Sequence, residues 1–200
     1  MYPFNFKGQM LQSDASSAPV DRGFVAHLII AAALASPALT TGIHAAVVNS
    51  GVQQVITTGI TKPSVPRNIT ATAGGTAADI KAIQVTITGT NFNDEVISEV
   101  LPAFTVDTAG TVQGNKAFKT VTSITIPAHD GVGATTSIGF GEKLGIPYKL
   151  SHDTVLLAYR NNTKEVTAPT VTVSATVLES NTFDLNSTLN DTQVDLYLIV

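Results

Sequence analysis

The sequence predicts an all-β protein, an antiparallel β-sandwich of jelly-roll-like character with an extended N-terminal arm. Three observations predict it. From residue 45 onward Val, Ile and Thr dominate, the residues that fit a pleated, half-buried surface. Gly, Pro, Asn and Asp interrupt them at short intervals, as turns between strands do. Several runs also alternate apolar and polar side chains with a period of two. In "KAIQVTITGT", Ile83, Val85 and Ile87 share one face while Gln84, Thr86 and Thr88 share the other. In "TVTVSATV", Val171, Val173, Ala175 and Val177 oppose Thr170, Thr172, Ser174 and Thr176. One buried and one wetted face is the signature of antiparallel sheets, and two such sheets packed face to face make a sandwich.

The elements follow in chain order. Residues 1–23 are expected as an extended arm, in which Tyr2, Phe4 and Phe6 alternate before a Ser/Asp/Ala/Pro stretch. Alternating aromatics without a neighbouring partner strand are expected to dock on the body of the domain or on another subunit; a disordered terminus is the alternative. Residues 24–200 are expected as a single β-sandwich domain. Its first segment, residues 24–35, is apolar and reads equally as one short helix or a buried strand, ended by Pro37. Phe24, Leu28 and Ile29 in it join Tyr2, Phe4 and Phe6 as candidate partner contacts. The longer run "FVAHLIIAAALASPALTTG" is broken by His27 and Pro37. It is expected as a buried or partner-facing segment and not a membrane anchor, with a cleaved signal peptide as the alternative raised by "ALASPA". Strands are expected over 52–57, 67–73, 81–90, 95–104, 116–126, 134–140, 154–159, 170–178 and 193–199, with 81–90 and 95–104 joined as a hairpin through Asn91, Asn93 and Asp94.

Composition narrows the function. The 200 residues contain 44% hydrophobic and 13% charged side chains, the latter about half the usual share. Much of the surface is therefore expected to face other protein or to rely on Thr, Ser and Asn for solubility. Net charge is −4, with no basic patch, which argues against nucleic acid as a partner. Cysteine is absent, so disulfides, thiolate metal sites and a Cys nucleophile are excluded.

No catalytic constellation stands out. Gly74-Gly75 lies between two β-like runs, with no room for a crossover helix and no Walker lysine, so a turn is expected rather than a phosphate cradle. There is no G-x-S-x-G elbow and no H-E-x-x-H, and His27, His44, His129 and His152 are scattered. His129-Asp130 in "PAHDGVGATT" and the acidic group Asp94, Glu95 and Glu99 are the two places where a metal is conceivable. A capped turn and a solvated strand face are the competing readings. No cofactor is expected, and the chain is not expected to be an enzyme.

"PRNITATAGGTAADIKAIQVTITGTNFNDEVISEVLPAF" and "KAFKTVTSITIPAHDGVGATTSIGFGEKLGIPYKL" carry an R-N-I-T strand, a Gly-Gly turn, an I-T-G-T-N hairpin and an I-P-A-H-D-G loop. In these phrases the chain resembles structural proteins of tailed bacteriophages, most of all small head-associated proteins, over roughly residues 40 to 200. The resemblance implies a capsid decoration protein on the virion head surface. Its implied partners are the major capsid protein or other virion subunits, and its implied state a homo-oligomer, a trimer by preference. A tail-tube, fibre or baseplate component is the alternative within the particle. A surface carbohydrate-binding module is the alternative of another class, weakened by the lack of Trp and by the apolar runs around Tyr148, Tyr159 and Tyr197.

Overall fold

The structure, a computed structural model, describes residues 23–200 throughout and, ahead of them, the backbone pairing of two short strands. Tyr2, Phe4 and Phe6 lie outside the described residues, as does most of the expected arm. The strands are β1 (Leu11–Gln12), β2 (Pro19–Val20), β3 (Val25–Ile30), β4 (Leu39–Val48), β5 (Gln54–Ile56), β6 (Arg67–Gly75), β7 (Thr86–Thr90) and β8 (Val96–Val100). They continue as β9 (Gly110–Gln113), β10 (Thr120–Ile126), β11 (Ala134–Gly145), β12 (Val155–Arg160), β13 (Thr163–Lys164), β14 (Thr170–Thr172), β15 (Thr182–Asp184) and β16 (Val194–Ile199). Among the described residues, helical structure is limited to three 3-10 turns of three residues each. No helix among them is long and apolar enough to cross a membrane.

Every ladder among the described residues is antiparallel. A central sheet runs β14-β15-β11-β6-β9, with β4 also paired to β11. A second sheet runs β5-β10-β7-β8 and a third β13-β12-β16-β3. The first buried cluster fills the space between the central and second sheets. Ile69, Ala71, Ile138 and Phe140 meet Ile87, Ile97, Val121 and Ile124 there. The second cluster seats the third sheet against the other end of β11: Ile30, Val194, Leu196 and Leu198 pack with Leu144, Ile146 and Phe183. β11 serves both clusters, so it is buried on both faces for most of its length. The fold is thus the expected antiparallel all-β sandwich, with a third sheet added to it.

The alternation in "KAIQVTITGT" is realised: Ile83, Val85 and Ile87 are all buried in the first cluster. β7 and β8 form the expected hairpin, from Thr86↔Val100 to Thr90↔Val96. Asp94 in its turn has φ 62°, and the Asn91 side chain accepts the backbone N–H of Asn93 at 2.9 Å.

Several segments differ from expectation: β4, β9, β13 and β15 form where no strand is expected, residues 81–85 and 101–104 of the expected hairpin carry no strand, and in three segments the cause is visible. Residues 24–35 are neither one helix nor one strand. β-branched Val25, Ile29 and Ile30 pair along β16, and the alanines then make only a 3-10 turn over Ala32–Leu34. β4 (Leu39–Val48) forms where no strand is expected, because Gly42, Ala45 and Ala46 dilute its β-forming composition. Gly42 is required there, since a Cβ at that position would overlap the Phe140 ring. The run at 170–178 leaves its ladder after Thr172. Buried Asn181 captures the chain beyond that point, accepting the N–H of Ser174 at 2.8 Å and donating to the carbonyls of Ser174 and Val177 at 2.9 and 2.8 Å. Ala175 and Val177 therefore end exposed.

Gly74-Gly75 closes β6 and hands the chain over to the second sheet through the 3-10 turn Ala77–Asp79. Gly75 has φ 82°, and a Cβ on it would collide with the carbonyl of Gly133 in the turn just ahead of β11. Gly75 is needed for close backbone approach at a crossover between sheets.

Candidate functional site

The candidate partner contacts inside the described residues are Phe24, Leu28 and Ile29. Among the described residues β3 is the last strand of the third sheet, so one of its edges has no described strand beside it. Its alternation divides the side chains. Ala26 and Leu28 turn inward onto the second cluster, whereas Phe24, Val25 and Ile29 are 51%, 63% and 55% exposed. Ile199 and Val200 extend this apolar margin, and Phe24 and Val200 exchange backbone hydrogen bonds of 2.9 and 2.8 Å. The second sheet ends similarly, with exposed Val96 and Val100 on β8 and exposed Val55 on β5.

His129 is a buried structural histidine. Its Nδ1 accepts the backbone N–H of Lys81 at 3.2 Å, which leaves the proton on Nε2 to be donated to Thr136 Oγ1 at 2.9 Å. Asn49 braces the same loop, donating to the carbonyls of His129 and Gly131 at 3.2 and 2.9 Å. Burial holds the His129 pKa below the usual histidine value, with Asp130 opposing. Asp130 itself points outward to Lys81 at 3.1 Å. The loop is therefore a braced turn with both imidazole nitrogens occupied.

Asp94, Glu95 and Glu99 are drawn apart from one another. Asp94 pairs with Lys119 at 2.8 Å. Glu95 accepts from the Asn91 side chain at 2.8 Å. Glu99 accepts the backbone N–H of Asn115 at 2.7 Å; burial raises its pKa, against the pull of those backbone bonds. Among the described residues no group of three or more His, Cys, Asp or Glu is arranged to hold a metal ion.

The sequence reading missed the residues that organise the interior. Arg67 is fully buried: Nε donates to the Gly141 carbonyl at 2.7 Å, Nη1 donates to the Ser36 carbonyl at 3.0 Å, and Cζ lies 4.4 Å from the Phe140 ring centroid. Its Nη2 has no hydrogen-bond partner among the described residues. Burial lowers its pKa to about 10, with Glu142 opposing. Glu142 lines a cavity of about 400 Å³ together with Asp184. Burial, then the charge of Glu142, raises the Asp184 pKa, so the two carboxylates are electrostatically coupled. The cavity offers acceptors and the hydroxyls of Thr40, Thr70 and Thr111, a donor set for a polar ligand without an evident nucleophile. A lone Arg before an apolar strand carries no sequence signal of burial, so only the fold reveals this arrangement.

Fold and surface together define a class of protein: a cysteine-free antiparallel β-sandwich with apolar strands at open sheet ends. A scan against protein-family models and searches of curated proteins and solved structures find no match to the chain.

Proposed function

We propose that the protein is a non-enzymatic structural subunit of a phage particle, a head decoration protein that clamps neighbouring capsid subunits. The observation that carries this reading is the open β3 edge bordered by exposed Phe24, Val25, Ile29 and Ile199. Exposed apolar side chains along an unpaired edge favour burial against a partner strand. The low charge content and the phage-like phrases of the sequence support the same reading. The arm then adds contacts at high effective concentration once the body is docked. A trimeric state belongs to the proposal.

Gold-labelled antibody against the purified protein, imaged on particles of its parent phage, tests the reading. Label spread over the head is the expected outcome. Label confined to the tail would transfer the role to a tube, fibre or baseplate component, and unlabelled particles would remove surface decoration altogether.

A further inference from the structure

The outer face of the third sheet carries a cluster of aromatic and polar side chains that the assembly reading does not use. Directly opposed residues share a face, and the register sets Tyr197 between His27 and Leu157, and Asp195 between Ile29 and Tyr159. Their neighbours Leu28, Leu196 and Ala158 turn inward, so His27, Tyr159, Asp195 and Tyr197 face away from the second cluster. The His27 ring stacks on Tyr197, with centroids 4.2 Å apart and planes at 10°. Tyr159 meets Tyr197 edge-on at 6.0 Å and 79°. His27 Nε2 donates to Asp195 Oδ1 at 2.8 Å, and Gln193 Nε2 donates to both Asp195 oxygens at 3.0 Å.

Asn162 completes the group from the two-residue turn between β12 and β13, where Asn161 and Asn162 have φ 51° and 58°. Together His27, Tyr159, Asn162, Asp195 and Tyr197 line a hollow of about 360 Å³. That volume falls in the range of small-molecule sites.

We propose that this hollow binds a neutral saccharide ring. The lining contains no Lys or Arg, which argues against an anionic ligand, and no aliphatic side chain, which argues against a purely apolar one. His27 covers one face of Tyr197, so the ring offered to the C–H face of a pyranose is that of Tyr159, set nearly perpendicular to Tyr197. Asp195 and Asn162 provide an acceptor and a donor–acceptor pair for its hydroxyls. An ammonium ligand would also use tyrosine faces and a carboxylate. Here the carboxylate already accepts N–H bonds from His27 and Gln193, which spread its charge and leave hydroxyl-sized acceptor capacity. The sequence disfavoured a sugar site because Tyr159 and Tyr197 stand in apolar runs, but strand alternation turns both rings outward. The inference does not rest on the assembly reading, although Ile29, which that reading uses, shares this face beside Asp195.

The test is a glycan array of neutral and acidic saccharides probed with the full chain. Titration with the best neutral ligand follows, read through tyrosine emission, since the chain has four Tyr and no Trp. Tetramethylammonium chloride is titrated in parallel. The expected result is binding of a neutral saccharide that Tyr159→Ala and Asn162→Gly each weaken about tenfold, equivalent to ~1.4 kcal/mol. Glycine keeps the left-handed turn at residue 162, so this variant reports on the site even where Tyr159→Ala fails to fold. No neutral saccharide bound, binding of tetramethylammonium alone, or saccharide binding indifferent to Asn162→Gly would each overturn the proposal.

Discussion

At the scale of the residue, His129 shows how a side chain that reads as chemistry in the sequence becomes architecture in the fold. Protonation would place an N–H on Nδ1 against the N–H of Lys81, so the folded state demands the neutral ring. The folded pKa lies below the ordinary value of 6.5, so the unfolded chain binds the proton first as pH falls. Stability should therefore decline as pH drops below 6.5 until the folded-state pKa is passed. His129→Gln should flatten that part of the profile, as urea unfolding at a series of pH values would read out. Arg67 makes the opposite point, a full charge hidden in an apolar setting with one nitrogen unpartnered among the described residues. Arg67→Ala should lower the unfolding free energy by about 2–5 kcal/mol through the cavity it leaves. Arg67→Met should cost markedly less, because it fills the volume and brings no charge to desolvate. Equal losses in urea titrations of the two variants would show that the guanidinium bonds, rather than the volume, are what the fold needs.

At the scale of the element, β3 separates two kinds of apolar residue six positions long. Leu28→Ala should destabilise the fold by roughly 1–3 kcal/mol, since Leu28 packs on the second cluster. The pair Val25→Lys and Ile29→Lys should leave the thermal midpoint within a few degrees, because both side chains are exposed. The same pair should abolish binding to particles in co-sedimentation, since Lys on an edge strand blocks further pairing. Much of this level was legible in the sequence. The Ile83-Val85-Ile87 alternation marks the buried face and the Asn91–Asp94 turn marks the β7–β8 hairpin because their signals are local, although the strand itself begins only at Thr86. β4 was hidden because Gly42 owes its place to Phe140, about a hundred residues away in the chain. The early end of β14 was hidden because Asn181 sets it from outside the strand. The candidate site was legible only in part: the apolar character of residues 24–35 marks the region, but which residues face outward depends on pairing with β16.

At the scale of the whole molecule, the arm and the body are separable in the assembly reading. The only described pairing within residues 1–22 is the two-residue ladder between Leu11–Gln12 and Pro19–Val20. A chain lacking residues 1–20 should keep its far-UV circular dichroism spectrum and its cooperative melt while attaching more weakly to particles. Undiminished attachment of that chain would remove the arm from the mechanism. Light scattering on the intact protein should give a trimer mass if the proposed symmetry is right.

The double service of β11 has a consequence for how the molecule comes apart. Ile138 and Phe140 belong to one buried cluster and Leu144 to the other, on one continuous strand. Loosening either cluster frays a strand on which its neighbour depends, so the two cannot melt as independent halves. Amide hydrogen exchange should accordingly find its slowest protons along Ser137–Leu144, and calorimetry should record one heat-absorption peak. In a particle, such a unit would transmit a pull on its outer sheet into the central one instead of shedding the outer sheet.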